Sequence, residues 1–396
     1  MINYGSKICL APMVRSGELP IRLAALKYGC DLVWTPELID RKLITCVRTV
    51  NQPLGTIDYI EGKNQSLTFR THPLERGKLI LQLGSSNAKY AVEAALKVIE
   101  DVDGIDLNCG CPKHFSIHAG MGAALLRTPD VLCEILEALV EKVGRPNNKP
   151  ISCKIRLLPE YEETKMLVER ICRTGISNLT IHCRTPIMRN RQDAVWNYLP
   201  RLIPIIQGLG VNVIINGNIQ GVEDLFSLQR ELKNDQLGIM IAEAAEANPS
   251  VFSRDPQIQK YVVKEVFEIC KKYHSFSGSK FLITNIIHGK SKYYQQACHA
   301  KSFEDMEIVL NKILEDNDDV RMNKITNRSA QKFSSFTLEE YHQHMKKRSE
   351  SMSQFFSIWT EEHMLKSLNP AKKQDKRVSD AVHISKTDNK RVKVSI

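Results

Sequence analysis

Nowhere in the 396 residues is there an apolar run able to cross a bilayer. The longest uncharged stretch, 202–222, is broken by Pro204, four glycines and several Asn and Gln residues, so no membrane partner is expected. Glycine and proline are sparse, at 20 and 16 residues, which excludes a collagen-like or low-complexity chain. The 11 cysteines are too dilute, and odd in number, for a disulfide-stapled scaffold. The opening residues carry no basic-then-apolar stretch closed by small residues, so no secretory leader is expected. Free thiols without an export signal point to a reducing compartment, cytoplasmic or nuclear. A glycine-rich dinucleotide turn after the first predicted strand is also missing. The fragment Gly120-Met121-Gly122 follows the fourth strand and has no third glycine.

What remains is ordinary globular composition, 42% hydrophobic and 25% charged. The charge is uneven. Of the net +10, a full +6 falls in 366–396, where nine basic residues face three acidic ones. Such a tail suggests a polyanion partner or a nuclear import signal, with a solvated, partnerless tail as the plain alternative. Its polar, aperiodic sequence predicts disorder.

The first 250 residues alternate. Short β-branched runs occur at 8–14, 31–35, 78–84, 104–108, 151–157, 178–184, 212–218 and 238–242. Between them, 18–28, 88–100, 129–143, 164–174 and 222–232 place apolar residues three and four apart, as helices do. Thr128-Pro129 and Ser16 look like helix starts. Eight strands alternating with helices predict a (β/α)8 TIM barrel over residues 1–250. Residues 56–60 and 66–70, around Gly62-Lys63-Asn64, predict a hairpin inserted on its rim. Beyond Pro249 strand-like runs become scarce. Helical spacing at 260–273, 281–294, 303–315 and 338–352 predicts an all-α helical domain over 251–365.

In a barrel the C-terminal strand ends line one active-site mouth. Here those ends read Ala11-Pro12-Met13, Gln82-Leu83-Gly84, Asn108-Cys109-Gly110-Cys111-Pro112, Lys154-Ile155-Arg156, His182-Cys183-Arg184 and Asn216-Gly217-Asn218. Packing alone would put aliphatic residues there, so an enzyme is expected. Cys111, set between Gly110 and Pro112, is positioned for chemistry; as a core residue it would sit inside a strand instead. Cys109, Cys111, Cys153 and Cys183 do not form a paired C-x-x-C set, so no metal is expected. Lys154 in an apolar strand needs a partner, and His182 with Arg184 on one face suits an anion. Met13 suits packing against either a flat ring or the core. Together these residues fit a phosphate-bearing aromatic cofactor, its phosphate near Asn216–Asn218 and the stretch beginning at Ala242.

The same residues, with Gly120–Leu126 and Thr185, resemble the tRNA-dihydrouridine synthases. Residues 10–18 and 31–42 are most similar to the eukaryotic branch acting at position 20 of the tRNA D-loop. The resemblance runs over about residues 5–255, and the helical part matches that family's tRNA-binding domain in placement. It implies FMN as cofactor, NADPH or NADH as reductant, and uridine in tRNA as substrate. Hydride would pass from flavin N5 to uracil C6 while Cys111 protonates C5. Gln82, Lys154 and His182 are implied as flavin contacts; Ala11, Pro12, Met13, Asn216, Gly217 and Asn218 would line the flavin; and Asn108 and Arg184 would face the substrate. One departure stands out. The family usually carries an arginine beside the phosphate turn after the eighth strand, but this chain reads Ala242-Glu243-Ala244. A glutamate cannot pair with phosphate, so either backbone N–H groups bind it or flavin affinity is weaker. A monomer is expected. Two competing readings are a flavin barrel acting on a free pyrimidine, and a tRNA-binding barrel whose catalysis has lapsed. Lys280-Phe281, Lys290, Arg321, Lys324, Arg328 and Lys332 are candidates to grip tRNA phosphates.

Overall fold

Eight parallel strands close on themselves in the computed structural model, which describes residues 2–62, 65–329 and 332–357. They are β1 (Ile8–Leu10), β2 (Leu32–Trp34), β3 (Leu79–Gly84), β4 (Gly104–Cys109), β5 (Ile151–Arg156), β6 (Asn178–His182), β7 (Asn212–Asn216) and β8 (Gly238–Ile241). Each pairs with its neighbours in sequence, and β1 pairs with β8, Ile8 opposite Ile239, so no edge is left open. This is the (β/α)8 barrel the alternation predicts. Both strand faces are covered, and that is why the strands read as continuous apolar runs instead of alternating ones. Tyr4, Cys9, Trp34, Ile80, Ile214 and Met240 fill the barrel interior.

The outer ring includes α1 (Leu19–Lys27), α2 (Ala88–Val98), α3 (Pro129–Leu139), α4 (Tyr161–Cys172), α5 (Leu199–Gly208) and α6 (Glu223–Glu231). Proline at the first helical position starts α3 as expected, although Thr128 makes no side-chain cap. Ser16 does not cap α1: the chain turns first, Gly17 N–H donating to Met13 O, and the Ser16 hydroxyl donates to Glu246 at 2.5 Å. The rim insertion is larger than a hairpin. Cys46–Asn51 joins Thr56–Glu61 and Ser66–Thr71 in a three-stranded antiparallel sheet. That added strand is mostly exposed, so it has no apolar alternation to betray it. Residues 63 and 64 of the predicted turn lie outside the described residues.

The C-terminal part is mainly helical: α7 (Gln259–Tyr273), α8 (Phe276–Ile286), α9 (Tyr294–His299), α10 (Phe303–Glu315) and α11 (Leu338–Ser357). The helix expected over 281–294 stops at Ile286, and the next helix begins only at Tyr294. Ser275 caps Gly278 N–H and starts α8 early, and the chain then leaves the helix at Ile287 and turns so that Ser291 donates to Asp319 at 2.6 Å. A hairpin, β9 (Ile325–Ser329) and β10 (Lys332–Phe336), adds a strand pair to a region expected to be all-α. Met1–Ser357 forms one compact unit. Buried Gln259 ties α7 to the barrel, donating to Ala247 O and Ile286 O at 2.5 and 2.6 Å and accepting from Asn248 and Thr326 N–H. The basic tail expected over 366–396, and residues 358–365 of the expected helical domain, lie outside the described residues. No helix among the described residues is long and apolar enough to cross a membrane.

Candidate active site

The C-terminal ends of the strands open on one cavity of about 890 Å³. Ala11, Pro12, Met13, Gln82, Asn108, Cys111, Lys154, His182, Asn216, Ala242 and Glu243 all line it, although they span 233 positions of sequence. Arg184, Gly217 and Asn218 line a smaller adjoining pocket, together with His182, Asn216, Ala242 and Glu243. Met13 and Ala242 also pack on the barrel core, so Met13 serves both the core and the cavity.

A polar chain crosses the cavity floor. Asn108 Nδ2 donates to Gln82 Oε1 at 2.9 Å, Gln82 Nε2 donates to Asp106 Oδ2 at 2.8 Å, and Ser152 donates to the other Asp106 oxygen at 2.7 Å. Burial raises the Asp106 pKa to about 6 despite these donors. Asn108 Oδ1 also accepts from Gly110 and Cys111 N–H at 3.0 and 2.9 Å. Its side chain therefore holds the turn that carries Cys111.

That turn rests on Gly122, which has φ +60°. A Cβ there would lie 2.7 Å from Cys111 O and would also meet Ser116 Oγ. The Cys111 thiol is partly buried. Burial, then the carboxylate of Glu37, pushes its pKa above the ordinary thiol value. Glu37 accepts from Ser116 at 3.2 Å, and its buried carboxyl lies against the Cys111 thiol. Glu37 escapes sequence reasoning because nothing local marks a glutamate after the second strand as a neighbour of Cys111.

Across the cavity the charge is positive. Lys154 makes no hydrogen bond or ion pair with any described residue. Burial, then Arg156, lowers its pKa to about 7, with Asp106 opposing. His182 lies opposite Arg156 and Asn216 in the strand register. Burial and the cations Lys154, Arg156 and Arg184 hold it far below its usual pKa, hence neutral. Arg184 Nη1 approaches His182 Nε2 at 3.2 Å. A guanidinium only donates, so that nitrogen accepts and the ring proton sits on Nδ1. Arg156 Nε and Arg184 Nη2 are buried with no hydrogen-bond partner. Such a set, with spare cationic donors and a lysine whose charge burial disfavours, suits a ligand rich in acceptors and negative charge.

The Asn216–Asn218 turn is strongly bent, with φ +109° at Gly217 and +59° at Asn218. The C-terminal part holds it: Ser329 donates to Asn218 Oδ1 at 2.5 Å and Arg348 to Asn218 O at 2.8 Å. Arg328, from the same hairpin, enters the mouth and lines both pockets.

The model of the family described as dihydrouridine synthase matches residues 9–336. The chain belongs to the dihydrouridine synthase family. Among curated members of this family, the tRNA-dihydrouridine(20) synthase [NAD(P)+] of Saccharomyces cerevisiae is 48% identical, over 80% of this chain and 86% of its own length. The Schizosaccharomyces pombe protein of the same name is 44% identical over 78% of this chain and 65% of its own. The S. cerevisiae tRNA-dihydrouridine(20a/20b) synthase is 29% identical over 63% of each chain. In this dihydrouridine synthase, the strand-end residues that carry the resemblance all reach the mouth of one barrel.

Proposed function

We propose that this chain reduces uridine to 5,6-dihydrouridine at position 20 of the tRNA D-loop, using FMN and a reduced nicotinamide, NADPH or NADH. Family membership supports the reaction class, and the high identity to two position-20 synthases supports the position. The observation that carries the chemistry is Cys111 facing Lys154 and His182 in one cavity.

The residues fit a flavin. Lys154 has no partner among the described residues, two buried guanidinium nitrogens lack acceptors, and the cavity is at the large end of small-molecule sites, with room for a tricyclic ring and a base. Reduced flavin supplies hydride to the uracil ring. Cys111 then has one task, to give a proton to C5. A thiol held above its ordinary pKa remains protonated at neutral pH and can do so. The charge that acts most strongly on it is the Glu37 carboxylate, whereas a dominant cation would have favoured thiolate instead. Asn108 fixes the Cys111 turn, while neutral His182 offers an Nδ1 proton and Lys154 a charge that grows when an anion arrives. The base must leave its stack to reach the mouth, and the C-terminal part around that mouth is the proposed tRNA grip.

Incubating unmodified tRNA with the purified protein and NADPH, then measuring nucleosides by mass spectrometry, tests this reading. Dihydrouridine mapped to position 20 is the expected result. Flavin-loaded protein that leaves tRNA untouched but reduces free uracil or orotate would favour the free-pyrimidine reading. Absence of both product and flavin would favour a lapsed scaffold.

A further inference from the structure

We propose that Arg328, delivered from the C-terminal hairpin, is a phosphate ligand of the flavin, so that the barrel's cofactor site is completed by the part of the chain outside the barrel. This rests on the flavin reading above. Where β7 and β8 end, a pocket of about 50 Å³ is lined by Arg184, Asn218, Glu243, Arg328 and Ser329 among others. It is small, and among the described residues its only cationic side chains are the two arginines. The end of β8 itself brings Glu243, which would repel a phosphate.

Arg328 also borders the main cavity, so it stands where a ligand lying in that cavity would extend into the pocket. Its Nε is buried with no hydrogen-bond partner, as is Arg184 Nη2. A buried guanidinium N–H left unpaired is costly, and a ligand that only accepts hydrogen bonds, carrying two negative charges, removes that cost at both arginines. The side chain is already positioned. Nη1 donates to Glu246 at 2.9 Å, Glu246 is fixed by Ser16 at 2.5 Å, and the guanidinium lies 5.0 Å over the Phe333 ring. The Asn218 turn beside it is clamped by neighbouring Ser329. Gly217 packs tightly beside His182, where an added Cβ would come 3.2 Å from His182 Cδ2, and its φ of +109° suits glycine, so this bend in the turn is fixed.

Riboflavin has the same ring as FMN and no phosphate, so the pair isolates this interaction. Dissociation constants for both are measured by flavin fluorescence on the full-length protein and on Arg328→Gln and Arg328→Lys. The Gln variant is expected to lose about 10–100-fold in FMN affinity while riboflavin affinity stays within a factor of about two, with the Lys variant between. An unchanged FMN-to-riboflavin preference in Arg328→Gln overturns the proposal. Equal weakening of both ligands overturns it too, making Arg328 a brace acting through Glu246. If the wild-type protein binds neither flavin, the cofactor reading itself fails first.

Discussion

Ser116 donates a hydrogen bond to Glu37 at 3.2 Å, and the two side chains bracket the Cys111 thiol. Ser116 is buried on the short helix that follows the cysteine, and Glu37 comes from the loop after β2, so residues 79 positions apart set the proton affinity of one sulfur. Burial is the larger influence on that sulfur and the Glu37 charge the second.

Two changes follow at this site. Cys111→Ala removes the proposed acid and should lower turnover on tRNA by about 10²–10⁴-fold while leaving flavin bound. Glu37→Gln removes a negative charge beside the thiol, so the thiolate becomes easier to form. The pH midpoint of Cys111 alkylation by iodoacetamide should move to lower pH, and activity should fall off earlier on the alkaline side. A midpoint that stays in place would show that Glu37 does not act on the sulfur.

Lys154 predicts a proton linkage. Its pKa in the ligand-free protein is lowered to about 7, whereas an unfolded lysine titrates near 10.4. Between those values the unfolded chain holds a proton the folded one has released, so ligand-free stability should rise with pH across that window. A bound anion removes the trend by restoring the charge. Flavin binding above pH 7 should therefore take up a proton, read by calorimetry in buffers of different ionisation enthalpy. Lys154→Met should raise the ligand-free melting temperature, weaken FMN binding and abolish the proton uptake. Uptake that persists in the variant would assign the proton to another group.

Arg22 and Glu75 form an ion pair with side chains 1% and 0% exposed, joining α1 to the end of the rim sheet. Arg22 also donates to Gly17 O and Arg70 O at 2.8 Å each, and Glu75 accepts from the Thr71 hydroxyl and from His72 N–H at 3.1 Å each. Arg22→Met leaves a buried carboxylate uncompensated and should cost about 3–5 kcal/mol in urea unfolding. Arg22→Met with Glu75→Leu should recover part of that loss only, because the two carbonyls and the His72 amide are left without partners. Full additivity of the two single losses would mean that the pair is not coupled.

The barrel is legible in the sequence because parallel strands covered on both faces are apolar runs whose polar residues fall at their ends. That rule alone is enough to place Gln82, Asn108, Lys154 and His182 at the mouth. Residues that act on groups far away in the chain leave no such trace. Glu37 is an unremarkable acid until the barrel closes and sets it beside Cys111. Arg328 sits in a short polar strand whose pairing with Lys332–Phe336 is weakly patterned, and in sequence it reads as one more basic residue for tRNA. The geometry places it against Glu246 and at the mouth. Cys46–Asn51 is hidden for the same reason as β9, since an exposed strand carries little apolar alternation.

The basic residues that are candidates for gripping tRNA separate into two groups. Lys280 donates to Ala300 O at 2.8 Å and Lys324 pairs with Glu340 at 2.8 Å, so both are engaged within the protein. Lys332 is exposed, makes no ion pair with any described residue, and lines a cavity shared with Asn218 beside the mouth. Exposed Arg189, on the loop after β6, lines the main cavity and likewise makes no ion pair with any described residue. If tRNA lies across this mouth, Arg189→Glu with Lys332→Glu should weaken binding several-fold. The slope of log affinity against log salt should fall by about one for each phosphate that the variant no longer neutralises. Lys280→Gln should leave that slope as it is and lower thermal stability instead, by roughly 1 kcal/mol for the one hydrogen bond removed. Filter binding across a salt series reads the slopes, and thermal melting reads the stability. An unchanged slope in the double variant would move the tRNA path away from this side of the barrel.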